Sequence, residues 1–267
     1  MPQIHPTAVV EDGARLGEGV TIGPFCHIGP QVELGDGAEI KSHAVIAGQT
    51  KIGLRAKIFP FASIGLQPQD LKYRGEASSL IIGDDCIIRE GVTMNPGTGG
   101  GGGQTIIGNS CAFLANSHVG HDCRIGQNVI IVNNVMLAGH VTIGDFAVLG
   151  GGSAVIQFAR VGHHAMVGGL TGVENDLIPY GLAKGNRAYL AGLNLVGLKR
   201  RNFSREAIQD LRRAYGMIFA SEGTLAERVE ATAAEFPDQP QVHEILDFIR
   251  AGGNKAICAP SSADEQG

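Results

Sequence analysis

The amino-acid sequence predicts a mainly β protein: a parallel β-helix of stacked triangular coils with a small α-helical domain behind it. Three patterns carry this prediction. A medium-sized apolar residue recurs at every sixth position over most of the first 175 residues, the fourth residue after it is small, and beyond Phe203 the apolar spacing changes to three and four. A period of six matches neither a helix face, at about 3.6 residues, nor a half-buried strand, at about two. It matches a solenoid whose coil closes after a few hexads. Three hexads make a coil of about eighteen residues.

The series runs from Val10, Leu16, Ile22 and Ile28 to Ile64, resumes at Ile82, Ile88 and Met94, and continues from Ile107 and Phe113 to Val173. Small residues such as Ala14, Val20, Ala38, Ala56, Val92, Ser117, Val129 and Thr171 fill the slot four positions later, so large and small side chains alternate around one interior. Glycine often follows the apolar residue (Gly17, Gly35, Gly53, Gly126, Gly144), where a corner needs a tight bend. The coils therefore extend over residues 1–187, with two interruptions. The first, 66–80, is polar and carries Pro68, which a ladder tolerates poorly. It leaves the coil as a loop. The second, 95–105, holds five successive glycines and no Lys-Ser/Thr of a phosphate cradle, which makes it a mobile flap at the edge of a site.

An α-helical domain is expected over 188–258. Ser204 caps a helix with Ile208, Leu211, Tyr215, Ile218 and Phe219 on one face, Thr224 and Glu227 form a capping box for a second to about Phe236, and Asp238 with Gln241 starts a third through Ile249. Residues 259–267 read as a disordered tail.

Composition bounds the function. A formal net charge of −5 argues against nucleic acid as a partner, and neither a leader nor an apolar run of membrane-spanning length is present, which points to a cytoplasmic protein. Cys26, Cys86, Cys111 and Cys123 occupy the small slot and read as reduced core residues rather than metal ligands.

Residues eighteen apart stack vertically at about 4.8 Å. His121 therefore lies under Gly139, with Gln157 above, His140 on the diagonal, His118 three residues earlier and Asp122 beside it. Two chemistries suit such a cluster: a zinc centre of His118, His121 and His140, or a single imidazole acting as general base on a hydroxyl. His5, His27, His43, His163, His164 and His243 lie outside it and are expected on the surface.

The segments IHPTAVV, QDLKYRGE, GHDC, AGHV, MVGG and NLVGLKRRNFSREAI, in this order over nearly the whole chain, resemble the UDP-N-acetylglucosamine O-acyltransferases, a family of the hexapeptide-repeat acyltransferases. This resemblance implies a left-handed β-helix and a homotrimer with sites between subunits. It also implies an activity without cofactor or metal: transfer of an (R)-3-hydroxyacyl chain from acyl carrier protein to the 3-hydroxyl of UDP-N-acetylglucosamine in lipid A biosynthesis. By the same resemblance His121 is the general base, Asp122 orients it and the Gly139 N–H serves the oxyanion. His118, His140 and Gln157 match contacts to sugar and acyl chain, Gln69, Asp70 and Lys72 a loop closing on sugar and pantetheine, and Asn194, Arg200 and Arg201 the nucleotide site. Gly169 matches the residue that limits acyl length. The chain departs from the family pattern at Asn95-Pro96, Ile156 and Val196, and Arg187 stands where some relatives carry another length-limiting residue. A non-catalytic β-solenoid scaffold is the remaining alternative.

Overall fold

The computed structural model describes residues 1–261; the end of the expected tail, 262–267, lies outside the described residues. Its first 193 residues form a left-handed parallel β-helix of three sheets. These contain eleven, nine and eight strands and begin at Gln3–Ile4, Val9–Val10 and Arg15–Leu16. The chain visits the sheets in that order, so each coil has a corner between the first and second sheets, the second and third, and the third and first.

The six-residue apolar series is the interior. Ile28, Ile46, Ile64, Met94, Val119 and Leu137 are each 0% exposed, and the small slot is equally buried, since a larger side chain there would meet the opposite sheet. Register follows the period: His118 pairs with Met136, Met136 with Ala154 and Ala154 with Gly172. Across the two interruptions the offsets are larger, Gln49 pairing with Ser79 and Ser79 with Gln104. Both insertions thus leave the coil without breaking the ladder.

The glycines have a different job from the one their position suggests. The left-handed corner falls three residues after the apolar residue, at non-glycine residues such as Asn116, Asp122, Asn134, His140, Phe146 and His164. Gly35 and Gly126, directly after the apolar residue, are not among the positive-φ residues. They are small because the next coil passes too close: a Cβ on Gly35 would stand 2.6 Å from the Gly53 carbonyl carbon.

The last strands, Gly181–Lys184 and Tyr189–Leu193, form an antiparallel hairpin over the end of the coil. Four helices follow. The first, α1 (Leu195–Arg200), carries Lys199 and Arg200 in its last turn, and Asn194 caps it. Ser204 caps α2 (Arg205–Ile218), and Thr224 with Glu227 forms the capping box of α3 (Leu225–Glu235). Helix α4 (Pro240–Arg250) starts at Pro240 rather than at Asp238: proline at the first helical position needs no N–H partner, and Gln239 makes no side-chain cap. The segment after α4 is tied to the coil by Asp176, which is 0% exposed, accepts from the backbone N–H and Nε of Arg160, and pairs with Ile257 in a parallel bridge. Beyond it the Leu190 N–H donates to the Ala259 carbonyl, so the tail expected from Ala259 begins with an anchored residue. Among the described residues no helix is long and apolar enough to cross a membrane.

Candidate active site

His121 and Asp122 lie on the corner between the second and third sheets, directly after strand His118–Val119. Asp122 takes the left-handed corner conformation, φ 60°, which turns its carboxylate back toward its neighbour. His121 Nδ1 is 2.7 Å from Asp122 Oδ2. Thr98 supplies the other donors to this carboxylate, its N–H to Oδ1 at 2.9 Å and its hydroxyl to Oδ2 at 2.7 Å. The Asp122 carboxylate accepts throughout, so His121 carries its proton on Nδ1 and leaves Nε2 as the basic nitrogen. The ring's Cε1 and Nε2 lie against Gly139, where a Cβ would stand 2.5 Å from both.

His121 projects outside the coil, yet it is only 8% exposed. The glycine-rich loop covers its partner. That loop folds back on itself and onto the coil: Gly101 and Gly103 N–H groups close onto the Thr98 carbonyl, and Gly97 and Gly103 exchange backbone hydrogen bonds with Ser79. Gly101 passes so near Asp122 that a Cβ would overlap the carboxyl group. Composition alone misses this, because glycine signals close approach as readily as flexibility.

His140 stands edge-on to His121, ring centres 5.0 Å apart, and stacks on Phe158 at 4.4 Å. His118 Nδ1 is 2.7 Å from the Thr93 hydroxyl. Burial holds the pKa of both His118 and His140 below the ordinary histidine value, so at neutral pH each is an uncharged hydrogen-bonding group. The zinc trio does not converge. Among the described residues His121, Asp122 and His140, not His118, bring ligand atoms within 4.8 Å of one another, and His121 and Asp122 are already hydrogen-bonded.

From His118 a groove of about 640 Å³ runs along the second sheet over Met136, Ala154 and Ile156 to Gly172, with Gln69 at its mouth. Three strand spacings make it on the order of 14 Å long. The hairpin turn closes its far end, where a Cβ on Gly172 would stand 2.5 Å from the Asn186 carbonyl oxygen. Asp70 anchors the loop beside Gln69 by accepting from the Lys72 N–H. Gln157 is exposed on the coils above His121. Asn95, at a departure from the family pattern, is 5% exposed and pins this loop by donating to the carbonyls of Leu66 and Gln67.

The remaining residues singled out in the sequence stand elsewhere on this chain. Gly169 is on the corner between the first and second sheets, exposed, with a neighbour no closer to a Cβ than Gly151 O at 3.3 Å. Asn194 donates to the His164 carbonyl and caps α1, while Arg201 lies over Phe146 and donates to its carbonyl, both at the corner between the third and first sheets. Arg200 is exposed at the end of α1. His163 and His164 also belong to this corner and are half-buried among Phe146, Tyr180 and Phe203 rather than on the surface.

A triangular coil with a histidine–aspartate pair beside an apolar groove defines a hexapeptide-repeat transferase, and residues 13–48 and 104–139 match the bacterial transferase hexapeptide family. Residues 176–258 match the second domain of UDP-N-acetylglucosamine O-acyltransferase. The chain belongs to the UDP-N-acetylglucosamine O-acyltransferase family of enzymes. It is 68% identical over 259 residues to the acyl-(acyl-carrier-protein)–UDP-N-acetylglucosamine O-acyltransferase of Methylobacterium radiotolerans, covering 97% of this chain and 95% of that one. The enzyme of the same name from Rhizobium johnstonii is 54% identical, with the same coverage. The crystal structure of Francisella novicida UDP-N-acetylglucosamine acyltransferase superposes with a TM-score of 0.94 at 35% identity, over 98% of this chain and 96% of that one.

Proposed function

We propose that this acyltransferase moves an (R)-3-hydroxyacyl chain from the thioester of acyl carrier protein to the 3-hydroxyl of UDP-N-acetylglucosamine, in the cytoplasm, as a step of lipid A biosynthesis. The observation that carries the mechanism is the His121–Asp122 pair with Nε2 turned outward against Gly139. His121 Nε2 takes the proton of the sugar hydroxyl as its oxygen attacks the thioester carbonyl. Asp122 stabilises the imidazolium that forms, and the tetrahedral intermediate then expels the pantetheine thiolate, which receives the proton from His121. The Gly139 N–H makes no hydrogen bond among the described residues and serves the developing oxyanion. The acyl chain lies in the groove from His118 to Gly172, while Gln69, Asp70, Lys72, His140 and Gln157 contact sugar and pantetheine.

Asn194, Arg200 and Arg201 hold the diphosphate and nucleotide, for which guanidinium groups give bidentate bonds. Because they and Gly169 stand on other corners than His121, the complete site is assembled between copies of the chain, as a homotrimer. Incubation with UDP-N-acetylglucosamine and 3-hydroxyacyl carrier proteins of several lengths, followed by mass analysis, tests the reaction: a product one acyl chain heavier is expected, and its absence with every donor refutes it. Full activity in a sedimenting monomer refutes the shared site.

A further inference from the structure

Thr98 is 4% exposed and stands at the N-terminus of the short 3-10 turn Gly99–Gly101, where a threonine hydroxyl ordinarily accepts from the turn's own backbone. It makes no such cap. The hydroxyl donates instead to Asp122 Oδ2, and the Thr98 N–H takes Oδ1, so one residue holds both oxygens of the carboxylate that orients His121. The Thr98 carbonyl is engaged as well, accepting from Gly101 and Gly103. Asp122 is further fixed through its own N–H, which donates to the Thr105 hydroxyl at 2.8 Å.

The loop is in turn latched to its neighbour. Glu76 accepts from the Gly99 N–H on one oxygen and from the Arg74 N–H on the other, joining the glycine-rich loop to the loop that carries Gln69, Asp70 and Lys72. A connected path therefore runs from Glu76 to the Gly99 N–H by a hydrogen bond, across the Thr98–Gly99 peptide bond, and by hydrogen bonds again from Thr98 to Asp122 and His121.

We infer that Thr98 is the positioning residue of the His121–Asp122 pair, holding the carboxylate so that a single direction on Oδ2 remains for the imidazole Nδ1–H. The inference rests on the reading of His121 as general base. Two bonds from one residue remove the torsional freedom of the Asp122 side chain, and with it the freedom of the imidazole to swing off the acceptor hydroxyl. The Thr98 hydroxyl also withdraws electron density from Oδ2.

Thr98→Val keeps the shape and removes the hydroxyl. It is expected to lower kcat about 10–100-fold with little change in the KM for UDP-N-acetylglucosamine. Thr98→Ser is expected to restore kcat. A second variant reaches the same contact from the other side of the loop: Gly101→Ala pushes the turn off Asp122 and should reproduce the loss of kcat at unchanged KM even if the valine variant folds poorly. Wild-type kcat in either Thr98→Val or Gly101→Ala, with His121→Ala inactive, overturns the inference alone. An active His121→Ala variant overturns the general-base reading itself, whatever the Thr98 variants do.

Discussion

Gly139→Ala tests the placement of His121 with almost no disturbance elsewhere. The added Cβ would stand 2.5 Å from His121 Cε1 and Nε2 and 3.0 Å from Nδ1. Relaxed carbon contacts are about 3.5–4.0 Å, so the ring must retreat by about 1 Å. Retreat strains the 2.7 Å bond to Asp122, and Asp122 cannot follow, because Thr98 holds both its oxygens and its side chain is 0% exposed. A 1 Å misplacement at a reacting centre costs on the order of 10²-fold in rate. The backbone accepts alanine here, since Gly139 is not among the positive-φ residues, so the strain falls on the His121 ring rather than on the ladder. The Gly139 N–H also stays in place. Loss of turnover without loss of melting temperature is therefore the expected result, measured by initial rates with UDP-N-acetylglucosamine and 3-hydroxyacyl carrier protein. A Gly139→Ala variant within about threefold of wild type would show that the ring need not lie where the structure has it.

Replacing His121 by alanine should cost about 10²–10⁴-fold in kcat with the coil intact, and Asp122→Asn should cost less; more than about a tenth of wild-type rate in the alanine variant rejects His121 as the base. Gly169→Met should shift donor preference toward shorter 3-hydroxyacyl chains, at a small packing cost where the new Cβ meets the Gly151 carbonyl oxygen at 3.3 Å; equal rates with ten- and fourteen-carbon donors before and after would place the end of the acyl chain elsewhere. His164 gives a pH signature for stability. Burial first, then His163 and Arg201, push its pKa down to about 4. The unfolded chain, with a histidine pKa of about 6.5, binds the proton that the folded chain refuses, so stability falls as pH drops from about 6.5 toward about 4. Melting curves across that window should flatten in His164→Phe, and an unchanged slope would assign the loss to other groups.

The six-residue period determines the coil on its own. In-register parallel strands force residue i against i+18, which made the neighbourhood of His118, His121, Gly139, His140 and Gln157 legible as subtraction. The same arithmetic yields height along the axis but conveys poorly which corner a residue occupies. That Gly169 and Arg201 stand on other corners than His121 emerges only when the three sheets are laid out. Composition does not distinguish a left-handed φ from a close approach of backbone, so neither the role of Gly35 and Gly126 nor the closure of the glycine-rich loop is legible in the sequence. Where the chain leaves the coil the period is silent. Thr93 meets His118 and Thr98 meets Asp122 across an insertion that changes the offset, so the tertiary fold decided these contacts. The physical reason is that ladder pairing repeats with the chain, whereas the closure of an inserted loop depends on hydrogen bonds between residues that share no period.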